Sequence, residues 1–179
     1  MGQEDKRMLR KAVRTRLAAM SDADKEQQST AICHSLKAHI AVTGARVVAL
    51  FSPLPDEPRI WPLVEDLSKS MAVLLPRIEG DVMNFYCYSP GSMSSGAFGV
   101  LEPVGGEPVA PYEIDVMVVP GVAFTATGER MGRGKGFYDK YMSLKEFRAV
   151  KIGVCYDVQL VDVLPTEIHD VKIDSVIYK

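Results

Sequence analysis

Residues 119–142 place Arg130, Arg133 and Lys135 among Gly132, Gly134 and Gly136, with Asp139 close behind. Glycine alternating with a cation is a pattern suited to gripping a phosphate. The glycines let the backbone come close to a ligand, and the cations supply full charges to its oxygens. Phe137, Tyr138, Tyr141 and Leu144 recur at helical spacing, so Asp139 is expected in a first helical turn. A carboxylate is favoured there and can hold a magnesium ion shared with phosphate. The spacing is neither that of a Walker loop, which needs Gly-Lys-Ser/Thr, nor that of the dinucleotide fingerprint. The bland alternative is a basic surface turn. With only Glu129 and Asp139 as nearby acids, three cations in one turn weigh against it.

A buried-type strand over residues 114–119 leads into this loop. Residues 5–20 predict an amphipathic helix with Leu9, Val13, Leu17 and Met20 on its stripe. Arg7, Arg10, Lys11 and Arg14 adjoin that stripe, and Lys6 lies at the border. Taken alone, this is a solvated basic face. Ser21 opens a second helix reaching about residue 41, with Ile32, Leu36 and Ile40 inward. Its histidines, His34 and His39, are five apart and do not pair for a metal. A strand over residues 47–51 breaks at residues 52–58, where Pro58 is expected to begin a helix carrying Ile60 to Leu67. Glu57 then reads as a first-turn acid. Further strands are expected at residues 71–75, closed by Pro76, and at 82–88, 150–156 and 175–178. Residues 89–98 read as a mobile loop.

Strands alternating with helices predict one α/β domain over residues 1–179. It would have three layers, with a mainly parallel sheet and helices on both faces. Ligands in such sheets bind beyond the carboxyl ends of the strands, so the turn at Glu57 and the glycine loop could share one edge.

The 179 residues carry a formal net charge of −2, which offers no global attraction to nucleic acid or anionic lipid. Cys33, Cys87 and Cys155 are odd in number and lack metal-ligand spacing, as in a reducing cytoplasm. The polar, basic start is unlike a secretory signal, and no apolar run is long enough to span a bilayer. A soluble cytoplasmic protein, a monomer acting on small molecules, is the expectation.

From Pro120 to Asp139 the chain resembles the signature of the 5-formyltetrahydrofolate cyclo-ligase family, also called methenyltetrahydrofolate synthetase. That signature is a strand ending in Pro-Gly-x-x-Phe, then Gly-x-Arg-Leu-Gly-Arg-Gly-Lys-Gly-Tyr-Tyr-Asp. Two positions depart from it: Thr125 stands where the family has Asp, and Phe137 where it has the first Tyr. Residues 99–103 resemble the family's Gly-Ile-x-Glu-Pro, and the stretch from Leu164 to Asp174 its closing Leu-Pro and Asp-x-x-Val-Asp.

The resemblance implies an enzyme that uses ATP to close 5-formyltetrahydrofolate into 5,10-methenyltetrahydrofolate. It implies ATP contacts from Lys6, Arg10, Arg130, Gly132, Arg133, Gly134, Lys135, Gly136 and Tyr138. Magnesium would be held by Asp139 and Asp170, and the folate by Phe51, Glu57, Met83, Arg133 and Phe137. Arg133, Lys135 and Tyr138 would carry the chemistry. A non-catalytic nucleotide- or phosphate-binding module on the same scaffold is the alternative. A sugar-phosphate isomerase or CoA-transferase-like enzyme rests on fold analogy alone and leaves the N-terminal cations unexplained.

Overall fold

The computed structural model describes residues 3–179. Helices α1 (Gln3–Ala19) and α2 (Asp22–Thr43) are separated by Ser21, whose hydroxyl oxygen accepts the Asp24 N–H at 3.0 Å and caps α2. Strand β1 (Val47–Ala49), helix α3 (Trp61–Leu67) and strands β2 (Ala72–Glu79) and β3 (Val82–Cys87) follow. Next come β4 (Met93–Ser95), β5 (Leu101–Pro103), β6 (Val116–Val119), β7 (Ala123–Phe124) and β8 (Arg130–Met131). Helix α4 (Phe137–Met142), β9 (Val150–Cys155) and β10 (Ser175–Tyr178) complete the order.

Six strands form one sheet in the order β10-β9-β6-β1-β2-β3, parallel throughout except for the β2–β3 pair. Side chains alternate between its two faces, as the period of a strand requires. Val48, Val73, Val116, Val118, Ile152 and Val154 face one way, onto Val13, Leu17, Ile32, Leu36 and Leu63 of α1, α2 and α3. Ala49, Leu74, Met117, Val119 and Cys155 face the other way, onto Tyr141 and Met142 of α4 with Phe85 and Phe124. This is the expected three-layer α/β arrangement.

Several local expectations are corrected. Pro76 does not close β2, which runs on to Glu79. The Tyr88 N–H donates to Val73 and that of Leu50 to Leu74, so odd-numbered residues of β2 face β3 and even-numbered ones face β1. The N–H that Pro76 lacks would therefore point to the β1 side, where pairing has already ended at Leu74. Residues 89–98 are not one open loop: β4 pairs with β5, and Glu102 accepts the Ile78 N–H at 3.2 Å, docking the hairpin on β2. Helix α3 starts at Trp61 and not at Pro58, because residues 57–59 are held from outside the segment. Helix α4 stops at Met142, leaving Leu144 exposed beyond it.

Gly153 in β9 is a site of close packing against an aromatic ring. A Cβ there would lie 2.6 Å from the ring of Phe124, which is fully buried. Gly153→Ala is expected to cost about 1–3 kcal/mol through overpacking. Thermal denaturation should register a fall of several degrees; an unchanged melting temperature would mean Phe124 has room to move.

Candidate active site

Strands β1 and β6 are neighbours at the centre of the sheet, so the segments leaving their carboxyl ends emerge side by side. Arg133, from the glycine loop after β8, crosses to the turn after β1. Its Nη2 lies 2.6 Å from Asp56 Oδ1 and 3.0 Å from Glu57 Oε1. From the N-terminal helix, Arg10 Nε donates to the Gly132 carbonyl at 2.9 Å. Gly134 has φ 101°, a backbone state closed to most side chains, and Arg10 lies across it. Three segments remote in sequence thus meet at one edge. Helix α4 has only six residues, so any anion at this loop would depend on the loop's own N–H groups more than on a helix terminus.

The cations are not equally available. Lys6 is nearly buried, with Nζ 2.8 Å from Asp170 and 3.5 Å from Glu167. Arg130, expected among the phosphate-gripping cations, is turned inward with its side chain 3 % exposed. It donates to the Pro120 carbonyl at 3.1 Å and to Asp139 Oδ2 at 2.7 Å, so its direct work is to hold Asp139. Lys135 is exposed. An open groove of about 560 Å³ runs along α1 from Arg133, lined by Arg7, Arg10, Lys11 and Arg14.

Burial raises the pKa of Glu57, which is 4 % exposed; the Leu54 N–H and Arg133 pull it part of the way back. Burial likewise pushes the Tyr138 phenol far above its usual range, helped by the Glu57 charge and opposed by Arg130. The phenol therefore keeps its proton at neutral pH. For Asp170 burial acts upward, but hydrogen bonds from Lys6 and the Glu167 N–H win and hold it below the usual carboxylate range.

Asp139 Oδ1 accepts the N–H of Val171, the residue after Asp170, at 3.1 Å, which draws the two expected metal ligands together. Glu167 and His169 stand beside them, and their ligand atoms lie within 4.8 Å of one another and of Asp170. A carboxylate-rich set suits a hard cation such as magnesium. The fit requires Lys6 to release Asp170, while Asp139 keeps Arg130 on Oδ2.

The residues expected to frame the folate divide between the two faces of the sheet. Phe51 is 1 % exposed in the core under α1–α3. Met83 belongs to the opposite cluster, against which Phe137 and Tyr138 pack. Phe85 meets Tyr138 edge-on at 6.4 Å. Sequence reasoning did not single out Asp56 as a second acid on Arg133, although the acidic pair was visible. Nor did it find Tyr156, whose hydroxyl donates to the Glu57 carbonyl at 3.0 Å; nothing local marks that role.

The fold and this edge define an α/β protein with a cation-lined, glycine-rich loop beyond the carboxyl ends of parallel strands. The chain matches the model of the 5-formyltetrahydrofolate cyclo-ligase family over residues 2–179, and it belongs to that family. It is 31 % identical over 188 residues to the 5-formyltetrahydrofolate cyclo-ligase of Mycolicibacterium smegmatis, covering 99 % of this chain and 95 % of that one. Identity to the Mus musculus enzyme of the same name is 24 % over 189 residues, covering 97 % and 93 %. The NMR structure of Aquifex aeolicus 5,10-methenyltetrahydrofolate synthetase superposes with TM-score 0.86 at 35 % identity, covering 97 % of this chain and 89 % of its own. The synthetase from Mycoplasma pneumoniae gives TM-score 0.79 at 25 % identity, covering 96 % and 97 %.

Thr125, the first departure from the family signature, has a local partner. It and Thr127 both donate to Glu129, the latter at 2.6 Å, and hold that carboxyl at about 2. Against the ordinary value of 4.5, this lowered pKa gives stability present above 4.5 and lost as pH falls toward 2. Thr125→Asp replaces a donor with a second carboxylate. The variant is expected to melt below wild type at neutral pH, with the gap narrowing as pH falls below about 4 and a proton is shared. Equal melting temperatures at neutral pH would show that Glu129 does not depend on Thr125.

Proposed function

We propose that this chain is an ATP-dependent enzyme that cyclises 5-formyltetrahydrofolate to 5,10-methenyltetrahydrofolate, releasing ADP and phosphate. The observation that carries the reading is Arg133, which joins the glycine loop to Asp56 and Glu57 while Arg10 braces the same loop from α1. One guanidinium thus stands between a phosphate cradle and a buried acid, where a phosphoryl group would pass to a folate oxygen.

The formyl oxygen is a poor leaving group. It attacks the γ-phosphorus, an O–P bond forms, and the bond to ADP breaks. N10 then attacks the activated formyl carbon and loses its proton, and the C–O bond breaks with departure of phosphate. The protein's work is positioning and charge neutralisation, as in other phosphoryl transfers.

Lys6, Arg10, Arg133 and Lys135, with the N–H groups around Gly132, Gly134 and Gly136, take the phosphates. Arg130 keeps Asp139 aimed, and Asp139 and Asp170 hold magnesium. Bound there, magnesium would supply positive charge to phosphate oxygens as they accumulate negative charge. Glu57 accepts hydrogen bonds from the pterin's N–H groups, and Tyr138 donates from the opposite side. Met83 and Phe137 pack against the ring, and Phe51 backs the Glu57 turn. The reading carries with it one domain over residues 1–179, a cytoplasmic monomer, and no nucleic-acid partner. A net charge of −2 and three free cysteines agree with that setting.

Purified protein with magnesium-ATP and 5-formyltetrahydrofolate is expected to give rising near-ultraviolet absorbance from the conjugated product. Arg133→Ala should slow turnover roughly a hundredfold or more while circular dichroism stays unchanged. A flat trace with wild type would leave only nucleotide binding. Near-wild-type turnover in Arg133→Ala would remove that residue from the chemistry.

A further inference from the structure

We infer that Tyr156, with Ser29 behind it, is a positioning residue that sets the reach of Glu57 toward the folate. The inference rests on the proposed role of Glu57. The ends of the network fix its proton directions. The Glu57 carbonyl can only accept, so the Tyr156 hydroxyl, 3.0 Å away, directs its proton there. The Arg59 N–H can only donate, and it donates to Ser29 Oγ at 2.9 Å. Ser29 therefore gives its own hydroxyl proton to the Tyr156 oxygen across 3.1 Å. One chain of hydrogen bonds runs from the Arg59 N–H through Ser29 and Tyr156 to the Glu57 carbonyl. Both hydroxyl-bearing residues are buried, Ser29 at 2 % exposure and Tyr156 at 0 %, so water does not replace either bond.

The network clamps the peptide groups on both sides of Pro58, whose ring already fixes φ. Helix α2 supplies Ser29, and the end of β9 supplies Tyr156, so the acid is tied to two rigid elements. Leu54 completes the hold: its carbonyl accepts the Glu57 N–H at 3.0 Å, and its N–H donates to Glu57 Oε2 at 2.9 Å. That leaves Glu57 Oε1, now facing Arg133, as the oxygen that changes partner when substrates enter. Among the described residues the network meets the glycine loop through Arg133 on Glu57 Oε1, a contact that substrates replace, so its effect falls mainly on the folate side. Its signature is a selective effect on folate affinity.

The test compares Tyr156→Phe, Ser29→Ala, Glu57→Gln and the Tyr156→Phe/Glu57→Gln double variant, varying ATP and 5-formyltetrahydrofolate separately. Tyr156→Phe is expected to raise the KM for folate about tenfold and to leave the KM for ATP within about twofold. Ser29→Ala should move the folate KM the same way, and it carries the test if Tyr156→Phe folds poorly. Because Tyr156 acts through Glu57, adding Tyr156→Phe to Glu57→Gln should raise the folate KM little further. Full additivity in the double variant overturns the inference. So do parallel shifts in both KM values, or a lowered melting temperature with both KM values intact, which a purely structural brace would give. If Glu57→Gln leaves the folate KM unchanged, the reading of Glu57 fails and takes this inference with it. If Glu57→Gln raises the folate KM and neither Tyr156→Phe nor Ser29→Ala does, only the positioning role fails.

Discussion

At the carboxyl edge of the sheet, Lys6 and Arg133 are matched by acids from another part of the chain, and Arg130 by an acid nine residues further on. Lys6 on α1 meets Asp170 near the C-terminus, Arg130 meets Asp139, and Arg133 meets Asp56 and Glu57 across the centre of the sheet. Leaving any of these charges alone in a half-buried setting would be costly, and removing one partner of such a pair leaves the other uncompensated. The pairing therefore brings the edge together without a ligand. It also sets the terms on which the proposed nucleotide would enter: its phosphates would have to replace the carboxylates now held by Lys6 and Arg133. In that proposal those carboxylates would turn to a metal ion or to substrate N–H groups. Charge is exchanged within the site and not created there.

Parallel strands explain why the partners come from so far apart. A parallel pair needs a crossover between its strands, and the crossover covers a face of the sheet. Chain segments therefore reach the carboxyl edge one at a time, after β1 and again after β6. A site at that edge has to be assembled from remote pieces. Arg133 and Glu57, 76 positions apart, become neighbours only because β1 and β6 pair. The same geometry lets α1 lie against the glycine loop, so that Arg10 touches Gly132 across 122 positions.

The two departures from the family signature have different physical standing. Thr125 belongs to a small network with Thr127 and Glu129 and supplies donors where a second carboxylate would repel. Phe137, like Tyr138, packs against the core cluster that contains Met83 and Phe85, so the aromatic volume is kept while the hydroxyl is gone. Neither position holds a cation of the cradle or an acid expected to bind metal.

Much of this protein was legible in one dimension. Apolar runs and helical periodicity identified the six strands of the central sheet and the helices, and their alternation gave the layered fold, because burial of apolar side chains obeys local geometry; the two short pairs β4–β5 and β7–β8 were not foreseen. The glycine loop stood out because its glycines and cations are adjacent in the chain. Lys6 and Arg10 stood out only through a family resemblance, since an i,i+4 basic pair is usually a solvated face. Pairing across the sheet was not legible. That Pro76 stays inside a strand depends on where β1 ends, and that Arg130 turns inward depends on Asp139 and the Pro120 carbonyl meeting in space. That Tyr156 and Ser29 grip the Glu57 turn depends on α2 and β9 packing against the same segment. Apart from the Arg130 contacts these join residues far apart in the chain, and only the folded chain supplies the low-dielectric, close-packed surroundings that decide which partner a charge or hydroxyl takes.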